Sequence, residues 1–210
     1  GTNDAYLDFG TFTQGVNIAL SSPNVTTTVT IGGVLQSGSF VRVQSISFRG
    51  GTGGDTISGG SLYDDISGGG GDDLIFGNGG DDALTGGAGS DTLHGGDGND
   101  SFHAEYTNLT DADVILGEAG NDGITIGAAA DQANAGLFLA TLDGGAGTDL
   151  VWLQWSLYTQ PISMNIAAPN LTTSITIGGV LQTGSITGIE RFDIWSGSGD
   201  DTLVGGAAND

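Results

Sequence analysis

Six nine-residue units follow one another without a gap over residues 50–103: GGTGGDTIS, GGSLYDDIS, GGGGDDLIF, GNGGDDALT, GGAGSDTLH and GGDGNDSFH. The first residue of every unit is glycine, the sixth is aspartate, and the eighth is isoleucine, leucine or phenylalanine. A fixed period of this kind is the signature of a repeat architecture, in which each unit buries its apolar residue by stacking on its neighbours. The period of nine therefore predicts that the units stack on one another.

The residue types within one unit indicate both its local structure and its chemistry. Glycines at positions one, two and four allow positive φ and let backbone carbonyls converge, while the position-six aspartate supplies a charged oxygen. Hard oxygen ligands without histidine or cysteine favour Ca²⁺ over transition metals. The ending Asp-x-apolar-x predicts a strand whose eighth residue points inward and whose seventh and ninth point outward. The inward residues would be Ile57, Ile66, Ile75, Leu84, Leu93 and Phe102.

This array resembles the RTX family, the hemolysin-type calcium-binding repeats with the consensus G-G-x-G-x-D-x-U-x, where U is a large apolar residue. The resemblance implies an all-β fold, a parallel β-roll. In that family the first six residues of a unit form a calcium-binding turn and the last three form a short strand. Units eighteen residues apart are then expected to stack.

The same resemblance implies which residues hold the ions. One ion would take the Asp55 carboxylate with the carbonyls of Gly51 and Gly53, and the stacked turn would add Asp73 with the carbonyls of Gly68 and Gly70. The rule gives further pairs: Asp64 with Asp82, Asp73 with Asp91, and Asp82 with Asp100. Other glycines implied as carbonyl ligands are Gly60, Gly69, Gly71, Gly77, Gly79, Gly80, Gly86 and Gly95. Leu62 replaces the position-four glycine of its unit, so we expect the Asp64 turn to be strained.

Beyond residue 103 the pattern continues in a degenerate form. After a slip of four residues, the position-six register falls on Asp113, Asp122, Asp131 and Asp149, and residues 144–152 (GGAGTDLVW) match the unit in full. We predict continued coils over residues 104–152 that bind fewer ions. The best expected site there pairs Asp131 with Asp149.

A longer repeat surrounds the array. The segment PNVTTTVTIGGVLQSGS (residues 23–39) returns as PNLTTSITIGGVLQTGS (residues 169–185), an offset of 146, and residues 196–206 repeat 50–60 at the same offset. We therefore divide the chain into strand-rich interblock segments (1–49 and 153–195), the array (50–103), the degenerate coils (104–152) and the start of a next array (196–210) containing Asp201. The interblock segments would cap the coil stack, with tight hairpins at residues 32–33 and 178–179. Because the chain ends within a further nonapeptide, we expect it to be an excerpt of a longer protein.

Composition predicts that folding depends on calcium. The chain has 25 acidic residues, only three basic ones and a formal charge of −22, together with 41 glycines. Aspartates stacked in register about 4.8 Å apart would repel one another, and glycine adds chain entropy that opposes folding. Without Ca²⁺ the array should be largely disordered.

Other functions find little support in the sequence. There is no cysteine, and the common hydrolase, metalloprotease and P-loop motifs are absent, so we predict no enzyme. His94 and His103 lie on successive units and would face opposite sides of the roll. A carbohydrate platform of Trp152, Trp155, Tyr158 and Trp195 is an alternative to core and cap packing, which we favour. The charge argues against nucleic acid, and no apolar run is long enough to span a membrane.

These observations predict a secreted, extracellular bacterial module that folds on calcium binding and serves a structural or surface-assembly role of the fibre, surface-layer or adhesin type. Weak calcium sites stay empty in the cytosol and fill outside the cell, which is the reason for the predicted location. Its expected partners are calcium and other copies or modules of the same protein. The alternative is the calcium-folded C-terminal region of a secreted exoenzyme or pore-forming toxin.

Overall fold

The computed structural model describes residues 4–20, 29–35, 44–106, 111–128, 140–156, 159–166, 174–182 and 184–205. Within these residues the chain forms strands and no helix. The strands are β1 (Asp4–Asp8), β2 (Val16–Ala19), β3 (Val29–Ile31), β4 (Val34–Leu35), β5 (Ser45–Arg49), β6 (Thr56–Ser58), β7 (Asp65–Gly70), β8 (Leu74–Gly79), β9 (Ala83–Ala88), β10 (Thr92–Asp97), β11 (Ser101–Tyr106), β12 (Val114–Ala119), β13 (Gly123–Ala128), β14 (Thr141–Asp143), β15 (Leu150–Gln154), β16 (Ile162–Asn165), β17 (Ser174–Ile177), β18 (Val180–Leu181), β19 (Ser185–Thr187), β20 (Arg191–Trp195) and β21 (Thr202–Val204). No described segment forms a helix long and apolar enough to cross a lipid bilayer.

Successive repeat units alternate between two sheets, as a roll requires. The first sheet has the order β1-β5-β7-β9-β11-β13-β15-β20, and the second has the order β19-β14-β12-β10-β8-β6-β2-β3-β4. Within the array, parallel partners lie eighteen residues apart, as with Asp65 beside Ala83 and Leu74 beside Thr92. The predicted all-β parallel β-roll is confirmed. A third sheet, β18-β17-β16-β21, belongs to the second copy of the long repeat.

The core lies between the two main sheets and is built from the eighth residue of each unit. All six predicted inward residues have 0 or 1% of their surface exposed, and Ile115, Ile124, Leu142 and Val151 continue this interior column in the degenerate coils. Strand alternation places the ninth residues outward, so His94 on β10 and His103 on β11 lie in opposite sheets, as expected.

The interblock strands join the same sheets as the array. β1 and β5 extend the first sheet and β2 extends the second, where it carries the antiparallel hairpin β3–β4. That hairpin turns at Gly32 and Gly33, with φ of 55° and 75°, and its copy turns at Gly178 and Gly179, with φ of 59° and 80°. Two consecutive left-handed residues define the tight turn that matches strand twist, so the predicted hairpins are confirmed.

The degenerate coils do not keep the nine-residue spacing. Ser101 pairs with Gly123, 22 residues on, and Gly123 pairs with Leu150, 27 residues on. Asp149 stacks on Asp122, whose N–H donates to Asp149 Oδ1 at 2.8 Å, and the predicted pairing of Asp131 with Asp149 stays a prediction. Asp131 itself lies outside the described residues.

The long repeat is also a structural repeat. At the offset of 146, β1 corresponds to β15, β2 to β16, β5 to β20 and β6 to β21. β15 pairs with β20 in the same register as β1 with β5. β15 also pairs with β13, so the second copy continues the first sheet.

The tryptophans divide between the core and the surface. Trp155 is 2% exposed, in agreement with the expected packing role, whereas Trp195 is 61% exposed and Trp152 is half-buried. The expectation of core packing is therefore wrong for Trp195. Tyr158 lies outside the described residues.

We expect Ile66→Ala to lower the free energy of unfolding by about 2–5 kcal/mol, because Ile66 is fully buried and its loss leaves a cavity between the sheets. The measurement is denaturant unfolding in saturating calcium. Thr85→Ala, which changes an outward residue of the next strand in the same sheet, serves as the control and should change stability by less than about 0.5 kcal/mol. Equal effects of the two substitutions would contradict the assignment of the core.

Candidate calcium-binding turns

The position-six aspartates form two ladders, one before the strands of each main sheet. The first ladder contains Asp55, Asp73, Asp91 and Asp113, which precede β6, β8, β10 and β12. The second ladder contains Asp64, Asp82, Asp100, Asp122 and Asp149, which precede β7, β9, β11, β13 and β15. All nine side chains are buried although the surrounding turns are at the surface.

One carboxylate oxygen of each ladder aspartate accepts a backbone hydrogen bond from the preceding coil. The Asp55 N–H donates to Asp73 Oδ1 at 2.7 Å, and the Asp64 N–H donates to Asp82 Oδ1 at 2.7 Å. The ladder continues through the degenerate coils, since the Asp91 N–H donates to Asp113 Oδ1 at 3.0 Å. These bonds fix the carboxylates and tie each coil to its neighbour.

The other carboxylate oxygen is buried without a hydrogen-bond partner at seven positions. The Oδ2 atoms concerned belong to Asp55, Asp73, Asp82, Asp91, Asp100, Asp122 and Asp149. An unpaired charged oxygen in the interior is costly, and a bound cation relieves that cost. The seven unpaired oxygens occupy equivalent positions, and each would be stabilised by a nearby cation.

Beside the position-one glycine, six of the seven orphaned oxygens have a backbone carbonyl oxygen nearby; Asp91 Oδ2, beside Gly86, is the exception. A Cβ atom built on Gly68 would contact Asp73 Oδ2 and lie 2.9 Å from the carbonyl oxygen of Gly86. A Cβ on Gly77 would likewise contact Asp82 Oδ2 and lie 2.7 Å from the carbonyl oxygen of Gly95. Only glycine fits at position one, because a side chain there would collide with a carboxylate oxygen of its own turn and a carbonyl oxygen of the next coil. We call this pair of oxygens a cradle.

The structure places the predicted glycines in two groups. Gly68, Gly77 and Gly95 lie at these cradles, and a Cβ on Gly86 would contact Asp91 Oδ2. The others form the turns. Gly69, Gly71 and Gly80 have φ of 105°, 102° and 111°. A Cβ on Gly70 or Gly79 would have no contact closer than 3.8 Å. The Gly51 carbonyl accepts the Gly70 N–H at 2.8 Å. Gly53 packs on the backbone of Gln14.

Asp64 differs from the other members of its ladder. Its Oδ1 accepts the Ile46 N–H and its Oδ2 accepts the Gly60 N–H, both at 2.6 Å. With both oxygens occupied by backbone donors, this carboxylate is the least suited to a cation. The unit is the one in which Leu62 replaces glycine.

Burial changes the protonation of the ladder carboxylates. Loss of water raises the pKa of Asp73 to about 8 and that of Asp82 to about 7, and neighbouring aspartates of the ladder add to both shifts. Burial also raises the pKa of Asp113 to about 7 and that of Asp91 to about 6. The backbone N–H donors oppose these shifts without cancelling them.

Sequence reasoning missed one ladder residue. Glu190 Oε2 accepts the Asp149 N–H at 2.9 Å, so a glutamate ends the second ladder. The predicted Asp201 does occupy an equivalent place in the second copy: its Oδ1 accepts the Ile162 N–H at 2.9 Å, as Asp55 Oδ1 accepts the Val16 N–H at 2.7 Å. Glu190 could not be found from the repeat, because it lies 41 residues after Asp149 and outside the nine-residue spacing.

The donor set suits calcium rather than a transition metal. Among the described residues, no three acidic, histidine or cysteine side chains lie close enough together to hold one metal ion. An ion in a ladder would therefore be bound by one or two carboxylates together with backbone carbonyls. Ca²⁺ readily uses such carbonyls, whereas zinc sites are built from side-chain ligands.

Comparison with known families agrees with this geometry. A family model of the RTX calcium-binding nonapeptide repeat matches residues 49–84, 76–105, 109–133 and 193–210. No curated protein and no solved structure matches the chain. Repeats of this family bind Ca²⁺, and the matched residues contain eight of the nine ladder aspartates. The chain thus carries RTX calcium-binding nonapeptide repeats, matched in four copies over the array, the degenerate coils and residues 193–210.

Proposed function

We propose that this chain is a calcium-folded structural module of a secreted bacterial protein, in which successive 146-residue modules build one extended scaffold for surface assembly, of the fibre, surface-layer or adhesin type. The observation that supports this proposal is the continuity of the first sheet. β13 of the first copy pairs in parallel with β15, which is the counterpart of β1 in the second copy. Successive modules are therefore joined by backbone hydrogen bonds rather than by a flexible linker.

The geometry of the sheet gives the length that each module adds. β1 and β15 lie six strand steps apart in the first sheet. At about 4.8 Å per step, one 146-residue period extends the roll by about 29 Å. A stack that grows by a constant increment per module is suited to a fibre or surface layer.

Calcium would act as the folding switch of this scaffold. The cradles beside the position-one glycines would hold the ions, with Asp55, Asp73, Asp82, Asp91, Asp100, Asp122 and Asp149 supplying the orphaned oxygens. A bound Ca²⁺ supplies positive charge between carboxylates that otherwise repel one another. Sites of extracellular modules have a Kd of about 0.1–1 mM, so they fill outside the cell and empty in the cytosol.

An extracellular location agrees with the family, since proteins with RTX repeats are typically secreted. The proposal includes no catalytic activity for this chain. In the part of the chain that the structure describes, the carboxylates with raised pKa all lie in the two ladders, where they are at most 3% exposed and packed against backbone. Because these carboxylates are buried, they are suited to structural and ion-binding roles and not to contact with a substrate.

The spacing of the modules tests the proposed function directly. The chain has no cysteine, so Asp8→Cys with Gln154→Cys places two spin labels at equivalent positions of the two copies. In calcium we expect one narrow distance distribution corresponding to a backbone separation of about 29 Å, because the labelled strands lie six steps apart. In chelator, or with magnesium in place of calcium, the distribution should be broad. A narrow distribution at the same distance in chelator would contradict calcium-driven assembly.

Two alanine substitutions in one turn should differ in their effect on calcium affinity. In Gly68→Ala the new methyl group would collide with Asp73 Oδ2 and displace the carboxylate that binds the ion, so we expect the calcium midpoint to rise by about tenfold, a loss near 1.4 kcal/mol. Gly70→Ala is the matched control, because its Cβ would meet nothing closer than 3.8 Å. Circular dichroism during a calcium titration measures both. Equal midpoints would show that the cradles are not the ion sites.

In the absence of calcium, the fold should be more stable in mild acid than at neutral pH. The pKa of Asp73 and Asp82 is raised from 3.8 to about 8 and about 7. Their contribution to stability is therefore fully present below pH 3.8 and is lost as the pH rises through the range 7–8. We expect circular dichroism in chelator to show more β-structure at about pH 5 than at about pH 8.

Saturating calcium should reverse this pH trend, because the ion binds the deprotonated carboxylates. The variant Asp73→Asn, whose side chain is neutral at both pH values, should reduce the difference seen in chelator. A pH-independent signal in chelator would contradict the burial of charged carboxylates in the ladders.

A further inference from the structure

A groove of about 330 Å³ crosses the outer face of the first sheet where β13, β15 and β20 lie side by side. Its lining residues are Thr125, Trp152, Gln154, Asp193 and Trp195. The volume lies at the lower end of the range for sites that bind small molecules. These side chains project to the face opposite the core, because Val151 and Leu153 of β15 point inward and are fully buried.

Strand register brings the two indoles together. Trp152 lies between Thr125 on one side and Asp193 on the other, and Gln154 lies opposite Trp195. The two tryptophans are thus on neighbouring strands and two residues apart, with about 8 Å between their Cα atoms from the strand spacing and rise. Asp193 and Gln154 occupy the two positions adjacent to both indoles, and Thr125 lies on the other side of Trp152, on β13.

Both indoles are held in place. The six-membered ring of Trp152 passes over Gly123, with Cζ3 3.0 Å from the position that a Cβ would take there. Trp195 is 61% exposed, and its Nε1 donates to Asp193 Oδ1 at 3.0 Å. Rigid aromatic surfaces that remain exposed beside satisfied polar groups are characteristic of binding sites, since the ordering cost has been met before a ligand arrives.

We infer that this groove binds an uncharged glycan through one of its pyranose rings. A pyranose presents C–H faces that pack against indole rings and hydroxyl groups that hydrogen-bond to planar carboxylate and amide groups. Trp152 and Trp195 supply the first kind of contact, and Asp193, Gln154 and Thr125 supply the second. The formal charge of −22 disfavours acidic glycans.

The long repeat supplies an internal comparison. At the offset of 146, Trp152 corresponds to Tyr6, Asp193 to Ser47 and Trp195 to Arg49. The first copy thus has one aromatic residue where the second has two, and an arginine in place of the exposed indole. The glycan site belongs to the second copy only, so Tyr6, which is 70% exposed, provides a matched control.

The test is a titration of the 210-residue chain, folded in calcium, with four neutral probes: cellohexaose, maltohexaose, xylohexaose and mannohexaose. Two of the three tryptophans line the groove and the third is buried, so tryptophan fluorescence reports binding directly. We expect saturable quenching by at least one probe. Trp152→Ala and Trp195→Ala should each weaken binding by about tenfold or more, as truncation of an aromatic anchor does. Tyr6→Ala should leave the affinity unchanged.

Further measurements separate the outcomes. Identical calcium titrations of the variants by circular dichroism establish that each still folds. Asp193→Asn keeps a hydrogen-bonding group but removes the charge, so glycan binding should persist. Quenching by choline alone, abolished in Asp193→Asn, would assign the groove to a quaternary ammonium cation and overturn the proposal. Quenching by none of the four hexasaccharides would also overturn it.

Discussion

The roll depends on a buried carboxylate that is only half satisfied. In each ladder, Oδ1 of a position-six aspartate accepts a backbone N–H from the preceding coil, and Oδ2 remains buried without a partner at seven places. The hydrogen bond fixes the position of each coil relative to the next. The unpaired oxygen opposes folding until a cation or a proton neutralises it. One side chain therefore both positions the coils and makes their stability depend on the surrounding solution.

This arrangement explains the strictest features of the repeat. The position-one glycine is required because any side chain there would collide with Oδ2 and the carbonyl of the next coil. The apolar eighth residue is required because alternation from the aspartate points it into the core, where it is at most 1% exposed. Positions seven and nine face outward and vary freely, which leaves them open to other uses such as the tryptophan groove on β15 and β20.

The sequence predicted the parts of the structure that are encoded locally. The nine-residue period predicts the β-roll and its inward residues, and the Gly-Gly pairs predict both hairpins. Each of these features depends on a few adjacent residues. The stacking of Asp149 on Asp122 could not be read in this way. Register in a sheet is set by which strands pair, and a coil can contain 18, 22 or 27 residues and still present the same strand. Glu190 was missed for the same reason, since its place in the ladder comes from pairing between β15 and β20.

The one-dimensional stacking of the coils has a mechanical consequence. Each coil of the array is hydrogen-bonded only to the coils on either side, so a force applied along the stack can detach them one at a time from an end. Releasing an eighteen-residue coil converts a rise of about 4.8 Å into about 60 Å of extended chain. Since a detached coil also separates the ligands of its cradle, calcium concentration would set the force at which each step occurs. Such a roll would lengthen under load in small reversible steps and absorb work that a single cooperative domain would release in one rupture.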